Sequence, residues 1–193
     1  MTKNLLPLAF FERETLLVAR ELLGCTIEVA GVAGRVVETE AYTTDAASHA
    51  VTSRERGRLM RETAGRVYVY LIYGMYACLN FTTDVNGPGA VLIRALEPVA
   101  GLDLMRERHG RNVPVRQLAN GPGKLCRALA IDTTFNGGRI HEPIRIFAAE
   151  EKVEVATSPR IGITKAIDLP WRFYVPGNTS VSRFPTMSKD SRS

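Results

Sequence analysis

The run Val67-Tyr68-Val69-Tyr70-Leu71-Ile72-Tyr73, broken by Gly74 and resumed by Met75-Tyr76, constrains this chain more than any other segment. β-Branched and aromatic side chains crowd a helix at χ1 but fit a pleated, half-buried surface, so the run is read as a strand. Side chains alternate across a strand, which puts Tyr68 and Tyr70 on one face and leaves Tyr73 and Tyr76 on either side of a glycine turn. Four of the six tyrosines therefore fall within one short stretch. An aromatic strand is ordinarily half-buried sheet. A tyrosine at a turn tip is badly placed for a core and well placed to stack or to wedge.

Other elements assemble around this strand. Residues 13–23 carry Leu16, Ala19, Leu22 and Leu23 on one helical face, and Gly24 stands where a helix stops. Residues 25–30, a turn at 31–34 and residues 35–42 read as a hairpin. Residues 54–65 are polar with no apolar period. Residues 77–83 and 90–95 read as strands, and Glu97-Pro98 is expected to end the second and lead into a helix over 99–108. Gly121-Pro122-Gly123 opens a helix over 124–130, and 143–150 and 171–175 are late strands. The 193 residues show no repeat, no linker and no shift in composition. They are expected to form one α+β domain over 1–185, followed by a disordered polar tail, 186–193.

Period two also places Glu38, Glu40 and Tyr42 on one strand face. Adjacent carboxylates either raise a pKa or are answered by a cation, as happens where a carboxylate does acid or base work. The alternative is a solvated face paired with surface arginines. Residues 54–66 hold five Arg against two Glu, residues 103–127 hold six Lys or Arg against two acids, and the whole chain carries +5. That distribution is the footprint expected for phosphate contacts, the alternative for either run being a solvated charged face. Gly121-Pro122-Gly123-Lys124 is a turn suited to anions but lacks the spacing of a nucleotide-hydrolysing loop, which argues against an ATPase. Cys25, Cys78 and Cys126 are odd in number and far apart, and His49, His109 and His141 lie in separate segments. Reduced core thiols and no metal site are expected. No stretch approaches the roughly 18 apolar residues of a membrane span, and the N-terminus turns charged early, so an intracellular protein is expected, cytoplasmic if bacterial.

Five motifs in order, V-E-T-E-A-Y (37–42), A-S-H-A (47–50), Y-V-Y-L-I-Y-G-M-Y-A-C-L-N (68–80), V-L-I-R-A-L-E-P (91–98) and N-G-P-G-K-L-C (120–126), resemble the alkyladenine (3-methyladenine) DNA glycosylase family. The resemblance runs from about Phe10 to Ile131 and resumes at Arg172-Phe173-Tyr174-Val175. It implies a single mixed domain with a central, mostly antiparallel β-sheet flanked by helices. It also implies a monomer that acts, without metal or cofactor, on double-stranded DNA containing damaged purines. Glu40 matches the general base that activates water, and Arg94 matches the arginine that helps hold the water and the target phosphate, its cation keeping Glu40 ionised. Tyr42, His49, Tyr70 and Asn80 match the base pocket. Tyr73, with Met75 and Tyr76, matches the wedge that fills the gap left by the flipped nucleotide. Arg54, Arg56 and Lys124 are candidate contacts to the DNA backbone.

The sequence departs from the family at Arg54-Glu55, Leu59-Met60 and Ala64-Gly65, where Arg-Asn, Met-Phe and Pro-Gly are usual, which bears on substrate range and not on reaction class. Residues 162–170 match too loosely to assign. A catalytically silent binding module of the same fold would need neither Glu40 nor Arg94. A hydrolase of free nucleosides would need no wedge and no positive face.

Overall fold

In the computed structural model, which describes residues 4–182, the tyrosine run forms β3 (Val67–Ile72) and folds back on β4 (Tyr76–Thr83). β4 pairs with β5 (Gly89–Ala100), and β5 pairs along its length with β2 (Val32–Tyr42). β1 (Thr26–Val29) and β6 (Arg145–Phe147) complete the order β3-β4-β5-β2-β1-β6. The far half of β2 pairs instead with β8 (Arg172–Tyr174), which carries β7 (Ala156–Ser158). Every strand pairing among the described residues is antiparallel. With α1 (Thr15–Glu21), α2 (His49–Thr52), α3 (Arg58–Glu62), α4 (Leu102–His109) and α5 (Pro122–Leu129), this is the α+β domain expected.

Alternation gives the sheet two unlike faces. Val67, Val69, Leu79, Phe81, Val91 and Ile93 enter the main core together with Val18 of α1, Met105 of α4 and Leu125 of α5. Helices of seven or eight residues are marginal alone, so this burial, roughly 1.5–3 kcal/mol for each large apolar side chain, is what holds them. The intervening residues turn to the opposite face, where Met60 of α3 packs on Tyr68 and Ala90 beside Tyr42 and Tyr70.

Several expectations are corrected. The first hairpin turns at Ala30-Gly31, whose φ values of 48° and 81° make a two-residue turn, and Val32-Ala33-Gly34 belong to β2. Gly34 serves a close approach, since a Cβ there would sit 2.8 Å from Leu96 Cβ. Pro98 does not end β5. It lies opposite Gly34 at an irregular register, where a residue without an N–H is tolerated, and the helix begins only at Leu102. α2 and α3 are too short to show a period; Ser48 caps α2, and Arg61 donates to the Ala50 carbonyl at 2.8 Å to tie the pair together. β7 was not foreseen, and the tail expected over 186–193 lies outside the described residues.

Gly34→Ala is expected to destabilise the fold by about 1–3 kcal/mol through overpacking against Leu96. At roughly 2–4 °C per kcal/mol for a chain of this size, the melting temperature should fall by several degrees. Gly87→Ala, where the nearest atom is 3.9 Å away, should leave it unchanged or slightly higher.

Candidate active site

Two register shifts build the site. Between Val36 and Glu38 β2 carries an extra residue, and between Glu38 and Thr39 β5 carries one, which is Arg94. Bulges re-aim side chains, and this pair brings Arg94 onto the face that carries Glu38 and Glu40. Arg94 Nε lies 3.2 Å from Glu38 Oε1 and its Nη1 lies 3.2 Å from Glu40 Oε2.

Both carboxylates are fully buried, so the reading of a solvated face is overturned. Glu38 Oε1 also accepts from Arg172 Nε at 2.6 Å and from the Ser182 hydroxyl at 2.7 Å, and Oε2 accepts from the Ser182 N–H at 2.7 Å. Glu40 has a different set. Oε1 accepts the Ile161 N–H at 2.7 Å, and Oε2 accepts the Tyr42 hydroxyl at 2.8 Å as well as Arg94. Burial is the largest influence on Glu40 and pushes its pKa above the usual carboxylate range; Arg94, the Ile161 N–H and the Tyr42 hydroxyl pull against it, and Glu38 adds a smaller push upward. Arg94 thus acts in the expected direction, favouring the ionised carboxylate, while desolvation outweighs it in the net shift.

Tyr42, Arg94 and Ile161 line a cavity of about 870 Å³, and Glu40 lies directly behind them. The same cavity is lined by His49, Tyr68, Tyr70 and Asn80. His49 packs edge-on against Tyr70 with ring centroids 4.7 Å apart, and its Nδ1 is 2.7 Å from the Tyr68 hydroxyl. Burial first, and Arg56 second, lower the His49 pKa, which favours the neutral imidazole. Burial raises Tyr42, Tyr68 and Tyr70, which stay phenols. The Asn80 amide nitrogen donates to the carbonyls of Tyr68 and Cys78, each at 3.1 Å, which pins the side chain.

Tyr73 and Tyr76 stand at the cavity rim. The Met75 N–H donates to the Ile72 carbonyl and closes a turn in which Tyr73 and Gly74 have φ of 53° and 70°. Tyr73 is 83% exposed and Met75 68%. Arg56 and Lys124 line the same rim, Lys124 reaching Asn120 Oδ1 at 2.8 Å, whereas Arg54 lies beside Arg58 and Arg61 at a separate hollow. Of the three departures from the family pattern, only Met60 lines the cavity. Sequence reasoning missed Tyr68, Ile161, Arg160, Arg172 and Ser182. Tyr68 shares the strand face of Tyr70, the signal that could have found it, and Arg172 lies in the strand expected over 171–175; Ile161, Arg160 and Ser182 sit in segments without a pattern. The three cysteines are free and buried, burial pushing Cys25 up to about 11.

Among the described residues no helix is long and apolar enough to cross a membrane. Residues 9–179 match the family model of methylpurine-DNA glycosylase. A protein of Methanoculleus marisnigri, provisionally named a 3-methyladenine DNA glycosylase, is 46% identical over 92% of this chain and 98% of its own length. Similar proteins bearing the same provisional name come from Rhizobium etli, 46% identical over 91% of this chain and 87% of its own, and Nitrosospira multiformis, 44% identical over 92% and 93%.

Glu38→Ala would leave Arg94 and Arg172 facing each other without their carboxylate. Removing one partner from a buried charge network costs about 3–5 kcal/mol, and urea unfolding should show a loss of that size. A loss below about 1 kcal/mol, the usual worth of an exposed ion pair, would contradict the geometry.

Proposed function

The chain belongs to the methylpurine-DNA glycosylase family and is a DNA N-glycosylase, and on that premise we propose that it excises 3-methyladenine from duplex DNA. Its proposed range extends to 7-methylguanine, hypoxanthine and ethenoadenine. The observation that carries this reading is Glu40, a buried carboxylate held by three donors immediately behind the wall of a cavity large enough for a nucleotide. A catalytically silent module would have no use for that arrangement.

In the proposed reaction the nucleotide is flipped into the cavity and water attacks C1′ while Glu40 takes its proton. The base leaves with the electron pair of the N-glycosidic bond, and an intact abasic site remains. Because the sugar develops positive charge, a fixed carboxylate favours the transition state over the ground state. Glu40 has no exposed surface, so arrival of the nucleotide must open the wall of Tyr42, Arg94 and Ile161 to admit the water. Arg94 counters the carboxylates and orients Glu40. The rings of Tyr42 and Tyr70 and the neutral His49 face the base, and a cationic alkylated purine gains roughly 0.5–2 kcal/mol there over a neutral one. Asn80, its amide donors spent on backbone carbonyls, excludes the 2-amino group of guanine by contact. Tyr73, Met75 and Tyr76 fill the stack, and Arg56 and Lys124, with Arg54 further out, hold phosphates.

A labelled duplex with one hypoxanthine, cut by hot alkali only at abasic sites, tests the chemistry. Glu40→Gln should lower single-turnover excision by about 100-fold or more while lesion-duplex affinity is retained, and a loss under about tenfold would remove Glu40 as the base. The working form is the ionised carboxylate, so the parent's rate should climb with pH through a limb above the ordinary Glu value of about 4.3.

Tyr73→Ala should reduce binding and excision far more on duplex than on single strands, which have little stack to repair. Equal losses on both would make Tyr73 a packing residue.

A further inference from the structure

The segment between β7 and β8 closes one side of the cavity, and Arg160 anchors it. Its side chain is fully buried. Nη1 donates to the Ala41 carbonyl at 2.9 Å and to Asp45 Oδ2 at 3.1 Å, and Nη2 donates to Asp45 Oδ1 at 2.6 Å. Asp45 is itself fixed by the N–H groups of Thr43 and Ala47. The guanidinium lies 4.5 Å from the ring centroid of Tyr42 and 5.2 Å from that of Trp171. The next peptide N–H, that of Ile161, is the donor to Glu40 Oε1. One planar fork thus grips the strand between Glu40 and Tyr42, backs the Tyr42 ring, and delivers a hydrogen bond to Glu40.

We infer that Arg160 is a positioning residue of this site, seating the Ile161 N–H on Glu40 and bracing Tyr42 from behind without touching substrate. The inference rests on the reading of Glu40 as general base. A hydrogen bond to the ionised carboxylate stabilises the working form, so a loosened Ile161 N–H must raise the pKa of Glu40 and move the acid limb of the rate to higher pH. The other groups facing Glu40 are Glu38 and Tyr42 from β2, Arg94 from β5, Tyr70 from β3 and Cys78 from β4, with Arg172 of β8 acting through Glu38. Of these, Arg160 touches Tyr42.

The test is single-turnover excision of hypoxanthine from duplex across pH, for the parent, R160Q, R160K, D45N and E40Q, with thermal melting to confirm folding. R160Q should lower the plateau about tenfold and move the acid limb up by about half a pH unit or more, in line with the loss of one well-placed hydrogen bond. R160K keeps the charge but not the fork, and should fall between R160Q and the parent. If R160Q does not fold, D45N carries the test, because it retains the Ala41 bond and the stack on Tyr42; it should shift the limb in the same direction by less. A limb that stays in place while the rate falls uniformly at all pH, or an unchanged rate, overturns the role of Arg160 alone. A parent without an acid limb, or an active E40Q, overturns the reading of Glu40 and this inference with it.

Discussion

Two carboxylates two residues apart on one strand are taken out of water together, and much of the structure exists to make that tolerable. The effective penalty for burying an ion is several kcal/mol, and two like charges side by side add to it. Arg94 reaches both glutamates because β5 carries an extra residue where it faces them. β8 adds a third strand against the far half of β2, where the glutamates lie, and brings Arg172 to Glu38. Ser182, far along the chain, comes back to the same carboxylate.

The two carboxylates are answered unequally. Glu38 meets two guanidinium groups and both donors of Ser182, a structural charge fully countered. Glu40 shares one guanidinium and otherwise has a hydroxyl and a backbone N–H, so burial prevails and its pKa rises. Oppositely directed side chains on the same strands keep that chemistry dry, since the apolar core lies on the other face of β3, β4 and β5.

Charge is sorted around the cavity. Its interior is mainly aromatic, with Arg94 tied to the glutamates behind the wall, while Arg56, Arg111, Lys124 and Arg127 stand exposed at its edge. A polyanion outside and a flat base inside fit that division. Tyr73 projects from the rim in a left-handed backbone conformation that costs a non-glycine residue roughly 1–2 kcal/mol. The tight hairpin closed by Met75 holds it there, which keeps a large ring in solvent when burial would otherwise favour it.

The alternation of Tyr68 to Tyr73, the periodic face of α1 and the Glu38-Glu40-Tyr42 spacing are local properties, written into two- or four-residue intervals, and they carried the class of fold and much of one cavity face. Sequence motifs also grouped Glu40, Arg94, Tyr42, His49, Tyr70 and Asn80, which the fold places around one cavity. Short elements were not legible: α2 and α3 fall below the length at which a period shows, and β5 ran through Pro98 because a bulged register removed the need for its N–H. The state of Glu40 was beyond the sequence as well, since a pKa depends on desolvation, and desolvation depends on what closes over a group. Arg160, Ile161 and Ser182 come from segments with no pattern, and Arg172 from a short expected strand that nothing local ties to a glutamate; all lie more than a hundred positions from the glutamates they serve. Local spacing determined which residues share a face; only tertiary structure, by excluding water and choosing the donors, decided that Glu40 is left with a raised pKa.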